Sequence, residues 1–451
     1  MAEPERADVS PAPGQSADLT AAPDAAETEV PPAVVAQSLG EYVRAWSARI
    51  RAGESGVLPV LAAMVAILVV FTIWSPNHVF LSAGNLVNLF EQSAVVMVLA
   101  MGEGFALVLG EIDLSVGFVG ACGAAITVQL VQPVTTRWPW WAAIVAGIAF
   151  CAAFGAIQGT LITRLRLPSF IVTLGGYLIA NGLFLIILNF GPFSGFPLLA
   201  GSDANLQAIY SIMAGNIDPI TSWILAAVGV VLLGGFMWWS DRRRRTGGLV
   251  APPASLTYIK IGLIAVVALV VVAICNANRA ASGFVVLAGV PYVIPIVLLV
   301  LVAWTVLLER TKYGRYVYAI GGNPEAARRA GISLPVIRTV AFMLCSVTAG
   351  IAMLLYASLL GGMSNNVQGG QYVLYAVAAA VIGGTSLMGG RGKALHGVLG
   401  GLVIGGINNG MNLQGLRFEA QYIVTGLVLL AAVTIDALSR RGAASGSVTR
   451  I

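Results

Sequence analysis

The chain has 451 residues, of which 58% are hydrophobic and only 10% charged, with 53 glycines and a formal net charge of +5. A soluble domain of this size is excluded, since roughly a quarter of its residues would be charged. Apolar runs of about 20 residues recur, each long enough to cross a hydrocarbon core of about 30 Å, and they are continuous rather than alternating, which excludes a β-barrel and leaves an all-α, polytopic membrane protein.

Residues 1–37 are rich in Ala, Pro, Asp and Glu without apolar periodicity, the composition of a disordered tail. No basic start followed by a short apolar core is present, so no cleavable secretory signal is expected. Within 38–56, "LGEYVRAWSARIRA" sets Leu39, Tyr42, Val43 and Trp46 near one face and arginines on others. This is the pattern of a short amphipathic helix on the membrane surface, or of a plain juxtamembrane linker. The membrane domain, 57–438, is expected to hold ten to twelve helices. Hydropathy places twelve candidate spans at 57–75, 85–109, 112–132, 139–163, 169–190, 221–240, 258–276, 291–308, 338–360, 372–389, 396–413 and 420–438. Residues 439–451 form a second tail.

The second and third spans cannot be plain lipid-facing rods. Residues 85–117 carry Glu91, Glu103, Glu111 and Asp113. A carboxylate in hydrocarbon costs at least a few kcal/mol, so each is expected to face a bundle interior, an aqueous path or the interface. From Gly110 to Gly117 the chain reads as a break followed by a helix start, with Asp113 or Ser115 placed to cap it. A matching Gly-rich interruption, "VIGGTSLMGGRGKALHG" (381–397), carries Gly383 and Gly384. Paired interruptions in two halves suggest an internal repeat around a central pathway, because non-helical backbone at membrane depth needs protein or water beside it. Further pathway candidates are Asn408, Asn409 and Asn412, which can hydrogen-bond either a hydroxylated solute or a neighbouring helix. Gly405 and Gly406 leave room between helices.

With both termini cytoplasmic, 22 of the 25 Lys and Arg residues fall on the inside, leaving Arg137, Arg279 and Arg417 outside. The loop 241–260, with "RRRR" at 242–245, then becomes a cytoplasmic anchor against anionic membrane lipid rather than a nucleic-acid site. Cys122, Cys151, Cys275 and Cys345 are widely separated inside apolar spans and read as small buried hydrophobes. His78 and His396 sit near span ends, and no Cys/His spacing predicts a metal. No cofactor is expected.

One stretch interrupts the apolar pattern: "YAIGGNPEAARRAGISLP", 318–335. Asn323 is a good N-cap, and Pro324 occupies the first helical position, where its missing N–H costs nothing. Glu325 lies at the positive end of the helix dipole, Ala326, Ala327, Arg328, Arg329 and Ala330 favour helix, and Gly331 is a natural stop. The predicted product is a two-turn helix, too short to be stable alone and therefore held by packing on its own bundle or on a partner.

"GNPEAARRAGISLP" resembles the coupling segment (309–337 here) of ATP-binding-cassette importer permeases. "GEIDLSVG", "SFIVTLGG", "VIGGTSLMGG" and "GGINNGM" resemble the ribose/xylose-type monosaccharide branch, over roughly residues 60–440. The added pair of spans at 221–280 is similar to the xylose permeases in particular; the long acidic N-tail and the basic Arg391, Lys393 and His396 depart from the pattern. The resemblance implies a transport subunit of a bacterial inner-membrane importer, not an enzyme. It would work as a homodimer with a second permease copy, a cytoplasmic ATP-binding subunit and an extracytoplasmic sugar-binding protein. Asn323 to Ala330 would dock in a groove of the ATPase, with Glu325, Arg328 and Arg329 making polar contacts and the alanines allowing close approach. The chain has no GxxxxGK[ST] motif of its own; "GGRGKA" fails in spacing and final residue. Selectivity would rest mainly with the binding protein, so no tight, fully polar sugar site is expected. The competing reading is a proton-coupled secondary sugar transporter, with Glu91, Glu103, Glu111 and Asp113 as its relay.

Overall fold

A computed structural model describes residues 57–190, 196–248, 253–280, 286–417 and most of 419–434, with Gly40, Glu41, Arg44 and Ser47. The tail 1–37, nearly all of the segment 38–56, part of the arginine-rich loop, the end of the last span and the tail 439–451 lie outside the described residues.

The described chain is almost wholly helical. α1 (Leu58–Trp74) is followed by a 3-10 turn (Pro76–Leu81), α2 (Ala83–Val108), α3 (Val116–Leu130), α4 (Trp140–Arg164) and α5 (Ser169–Leu188). Next come α6 (Ala204–Ala214), α7 (Pro219–Thr246), α8 (Ala254–Asn276), α9 (Val293–Arg310), α10 (Lys312–Gly322) and α11 (Pro324–Arg329). α12 (Leu334–Leu360), α13 (Gly369–Ile382) and α14 (Ala394–Leu413) complete the named elements, and residues 419–428 are helical as well. Local chemistry sets the starts. Ser82 accepts a hydrogen bond from the Asn85 N–H, Asp218 from Thr221 and Thr311 from Gly314, each relieving an orphan donor of a first turn.

Among the described residues, seven helices (α2, α4, α5, α7, α8, α9 and α12) are long and apolar enough to cross a membrane. Three of the expected spans are shorter. α1 has 17 residues, α3 has 15 and α13 has 14. The span expected at 112–132 starts only at Val116, and the one expected at 372–389 ends at Ile382, because the Gly-containing stretches 109–115 and 383–393 are not helical. At 1.5 Å per residue α3 and α13 reach only about 22 Å, short of the hydrocarbon thickness.

The core is built on α2 and α12, which are buried on most of their surface. α12 packs on α2, α3 and α4, and α14 packs on α2 and α13. Small residues permit these approaches: Gly120 of α3 meets the Ala349 backbone of α12, and Gly123 of α3 meets Gly147 of α4. α7 and α8 pair mainly with each other and leave most of their apolar surface uncovered. A two-residue antiparallel ladder, β1 (Asn216–Ile217) with β2 (Val290–Pro291), ties the segments flanking that hairpin. Arg279 staples it, donating to Gly289 O at 3.0 Å and to Asn216 Oδ1 at 2.8 Å.

The two ends of the bundle differ. At one end lie the end of α2, the start of α12, α10, α11 and the 383–393 loop; at the other, Leu198 bridges Gly362 just past α12. Val272 and Cys275, near the end of α8, pack beside Val87 at the start of α2. The start of α8, and with it Arg242 to Arg245, is therefore at the same end as α10 and α11. Arg242 and Arg243 lie over the Trp238 and Trp239 rings at 5.0 and 4.8 Å.

Candidate functional site

α11 is capped at both ends by its own sequence. Asn323 Oδ1 accepts the Ala326 N–H at 3.0 Å, Pro324 opens the helix, and Gly331 stops it with φ at +80°. Glu325 accepts from Arg328 and Arg329 at 2.9 and 3.2 Å. The Arg328 hydrogen bond, with Arg329 beside it, holds the Glu325 carboxyl below the usual carboxylate range. All three charged side chains remain largely exposed, as do Ala326 and Ala330. Ala327 departs from expectation. It is 4% exposed and turned into its own protein, beside Val317 and Ile320 of α10 and Ile337 of α12, so it offers nothing to a partner. That seat is what a six-residue helix requires, since it cannot stand alone.

The support beneath α11 is α10, which the sequence reading did not resolve as a separate helix. Its apolar residues Tyr313, Val317 and Ile320 follow helical spacing, a usable signal obscured by Gly314, Gly321 and Gly322. Through Gly321, α10 meets both helix interruptions. A Cβ on Gly321 would overlap Val108 O, where α2 ends, and lie 2.7 Å from Gly390 N in the second interruption. Gly390 N donates to Val108 O at 2.8 Å, and Tyr318 Oη donates to Gly392 O at 2.6 Å. The interruptions at 109–115 and 383–393 thus touch each other and the segment that carries α11.

Inside the first interruption is a buried polar cluster. Glu103 and Asp113 are fully buried. Glu103 Oε1 accepts the Asp113 N–H at 3.0 Å, and Cys345 Sγ of α12 lies 3.6 Å from Glu103 Oε2. Asp113 Oδ1 accepts from Ser115 N at 2.9 Å and Ser115 Oγ at 2.6 Å, while Ser115 Oγ also faces Gln158 Oε1 of α4 at 3.0 Å. Ser115 is the residue before α3, yet its side chain makes no capping bond; its hydroxyl is spent on Asp113 and Gln158. Asp113 acts one step earlier, tying the turn through Ser115. Glu111 turns instead to Arg338, which pairs with it at 3.0 Å while the Glu111 side chain stays mostly buried. Glu91 is half-buried on α2, apart from this cluster.

The other pathway candidates separate. Asn409 is buried and accepts from Asn85 Nδ2 at 3.0 Å, an interhelical bond between α14 and α2. Asn412 is exposed and its Oδ1 accepts from Gln421 at 2.7 Å. Asn408 is half-buried with an unpartnered Oδ1. Gly383 closes on His396 O and Gly405 on Ser93, so these glycines serve helix packing; Gly384 lies against the His396 ring and Gly406 faces Ile67. Gly117, at the start of α3, abuts Gly369, at the start of α13. The two short helices therefore begin against each other. α13 then runs to the end occupied by α10, and α3 to the opposite end, where Gln132 donates to Leu198 O at 3.0 Å.

Residues 85–433 match the family model described as branched-chain amino acid transport system / permease component. The xylose transport system permease protein of Escherichia coli (strain K12) is 34% identical over 386 residues, covering 85% of this chain and 92% of that protein. Its counterpart in Haemophilus influenzae is 32% identical, covering 85% and 97%. The ribose import permease protein of Escherichia coli (strain K12) is 28% identical, covering 83% and 92%. No solved structure matches the chain.

Proposed function

The chain belongs to the branched-chain amino acid transport system / permease component family, and on that footing we propose that it is the membrane-spanning subunit of an ATP-driven importer of xylose or a closely similar monosaccharide. Relatives named for xylose at 34% identity and for ribose at 28% support a monosaccharide as cargo. In this reading two copies form the pathway, a cytoplasmic ATPase drives it, and an extracytoplasmic binding protein delivers the sugar. The termini are cytoplasmic. Supporting that orientation, Arg242 to Arg245, Arg328, Arg329, Arg391 and Lys393 gather at one end of the bundle.

The observation that carries the proposal is the seat of α11. It presents Glu325, Arg328 and Arg329 outward on a helix held from below by Ala327, and α10 beneath it touches both helix interruptions through Gly321. A push on α11 by a closing ATPase would reach the two breaks through packed backbone, as a rigid-body shift rather than a local bend.

Two variants test this. Glu325→Arg removes both pairs with Arg328 and Arg329 and makes the outward face wholly positive without touching the buried face. A Cβ at Gly331 meets no described neighbour, so the cost of Gly331→Val is chiefly backbone strain at positive φ, about 1–2 kcal/mol. Both are expected to reach the membrane in normal amounts and to lose ATP-driven uptake in vesicles reconstituted with ATPase and binding protein. Wild-type uptake by both variants would remove α11 from the coupling path. Co-purification of an ATPase subunit with the chain at natural expression is the companion measurement.

A further inference from the structure

Where α3 and α13 begin against each other, the structure holds a cavity of about 400 Å³ that none of the expected pathway residues lines. Its walls are Phe118 of α3, Tyr177 of α5, Gln371 and Tyr375 of α13, and Tyr422 and Thr425 of the following helical segment. The volume is at the small end of ligand pockets, suited to a single small ring.

The chemistry of the walls is specific. Phe118 and Tyr177 meet edge to face at 5.1 Å, presenting aromatic surface for the C–H face of a saturated ring. Gln371 donates to Tyr375 Oη, and Tyr422 Oη lies 3.1 Å from Gln371 Oε1, so amides and phenols are linked in one chain of exchangeable donors and acceptors. α13 starts here with no side-chain cap, which leaves the N–H groups of Gly369 and Gly370 without an intrahelical acceptor. Thr425, 9% exposed, lines the cavity with its hydroxyl toward the Tyr375 hydroxyl, and so extends the same polar chain. Among the described residues, no Asp, Glu, Lys, Arg or His lines the cavity.

We infer that this cavity is a binding station for an uncharged, polyhydroxylated ring, with Gln371, Tyr375, Tyr422 and Thr425 meeting its hydroxyls and Phe118 and Tyr177 its apolar face. The absence of lining charge decides the class. A free amino acid would bring an ammonium group for which no lining carboxylate is available, and burying that charge unpaired is costly. The station's part in transport rests on the importer reading above; its ligand class rests on the walls alone.

The test uses the full-length chain in lipid nanodiscs. Thr425→Cys places a thiol in the cavity, while the four native cysteines are buried and give little background. Labelling by methyl methanethiosulfonate is expected to slow several-fold in high xylose and to be unchanged in high leucine. Equal rates under all conditions, or protection by leucine, overturns the inference. Thr425→Val keeps the shape and removes the hydroxyl. In the reconstituted importer it is expected to lower maximal uptake about three- to tenfold, as for one lost neutral hydrogen bond, at normal membrane abundance. Uptake equal to wild type also overturns it. If instead the wild-type complex imports no monosaccharide while xylose still protects Thr425→Cys, the importer reading fails and the ligand assignment stands.

Discussion

Replacing Gly321 by alanine is expected to abolish assembly and transport, while the same change at Gly322 is expected to be silent. The two glycines are adjacent at the end of α10, and composition alone cannot tell them apart. A Cβ on Gly321 would overlap Val108 O and approach Gly390 N at 2.7 Å; a Cβ on Gly322 has nothing within 4 Å. The obstacle at Gly321 is backbone from two separate segments, so no rotamer change relieves it. Overpacking of this kind costs about 1–3 kcal/mol even where neighbours are flexible side chains. Here the cost falls on the place where both helix interruptions meet the support of α11. Membrane abundance, monodispersity in detergent and ATP-driven uptake should all fall for Gly321→Ala and hold for Gly322→Ala. A Gly321→Ala protein that assembles and transports at the wild-type rate would mean that the three segments do not close as described.

The contrast between these glycines also shows which parts of the molecule were legible in the sequence. The caps of α11 were, because Asn323, Pro324 and Gly331 act within a few residues of themselves. Both interruptions were as well, since Gly and carboxylates are costly inside an apolar run. Helix facing was not. α2 and α12 are apolar around most of their circumference, so periodicity does not mark the buried side, and lipid is as apolar as a protein core. Ala327 therefore read as one of three equivalent alanines, although only its side is seated. Asn409 read equally as pathway or packing until Asn85, 324 residues away, supplied its partner. The cavity at Thr425 was illegible for the same reason: its walls come from four segments that meet only because two short helices start at one point.

Neutralising both buried acids, with Glu103→Gln and Asp113→Asn together, is expected to leave ATP-driven uptake within about twofold of wild type, whereas Asp113→Leu is expected to prevent assembly, on the scale of about 1–3 kcal/mol for each buried donor left unsatisfied. The bonds explain the asymmetry. Glu103 accepts the Asp113 N–H, and Asp113 Oδ1 accepts from Ser115 N and Oγ; an amide keeps each of these oxygens. Neither carboxylate forms an ion pair with a described residue, so charge has no partner to lose, in contrast to Glu111 and its Arg338. Leucine removes both acceptors at Asp113 and strands the Ser115 N–H inside the protein, leaving the hydroxyl only Gln158. The amide pair also tests the buried half of the proton relay, and the ATP requirement decides between the two transport mechanisms. A proton-coupled transporter needs a group that binds and releases a proton in each cycle, and neither amide can. If sugar uptake disappears in the Glu103→Gln, Asp113→Asn protein while its abundance and monodispersity stay normal, and if wild-type uptake follows a pH gradient without ATP, the coupling runs through these acids and not through α11. Uptake that survives the double change and still requires ATP assigns Glu103, Asp113 and Ser115 to fixing the turn between α2 and α3, the part of the first interruption that must hold its shape while the rest shifts.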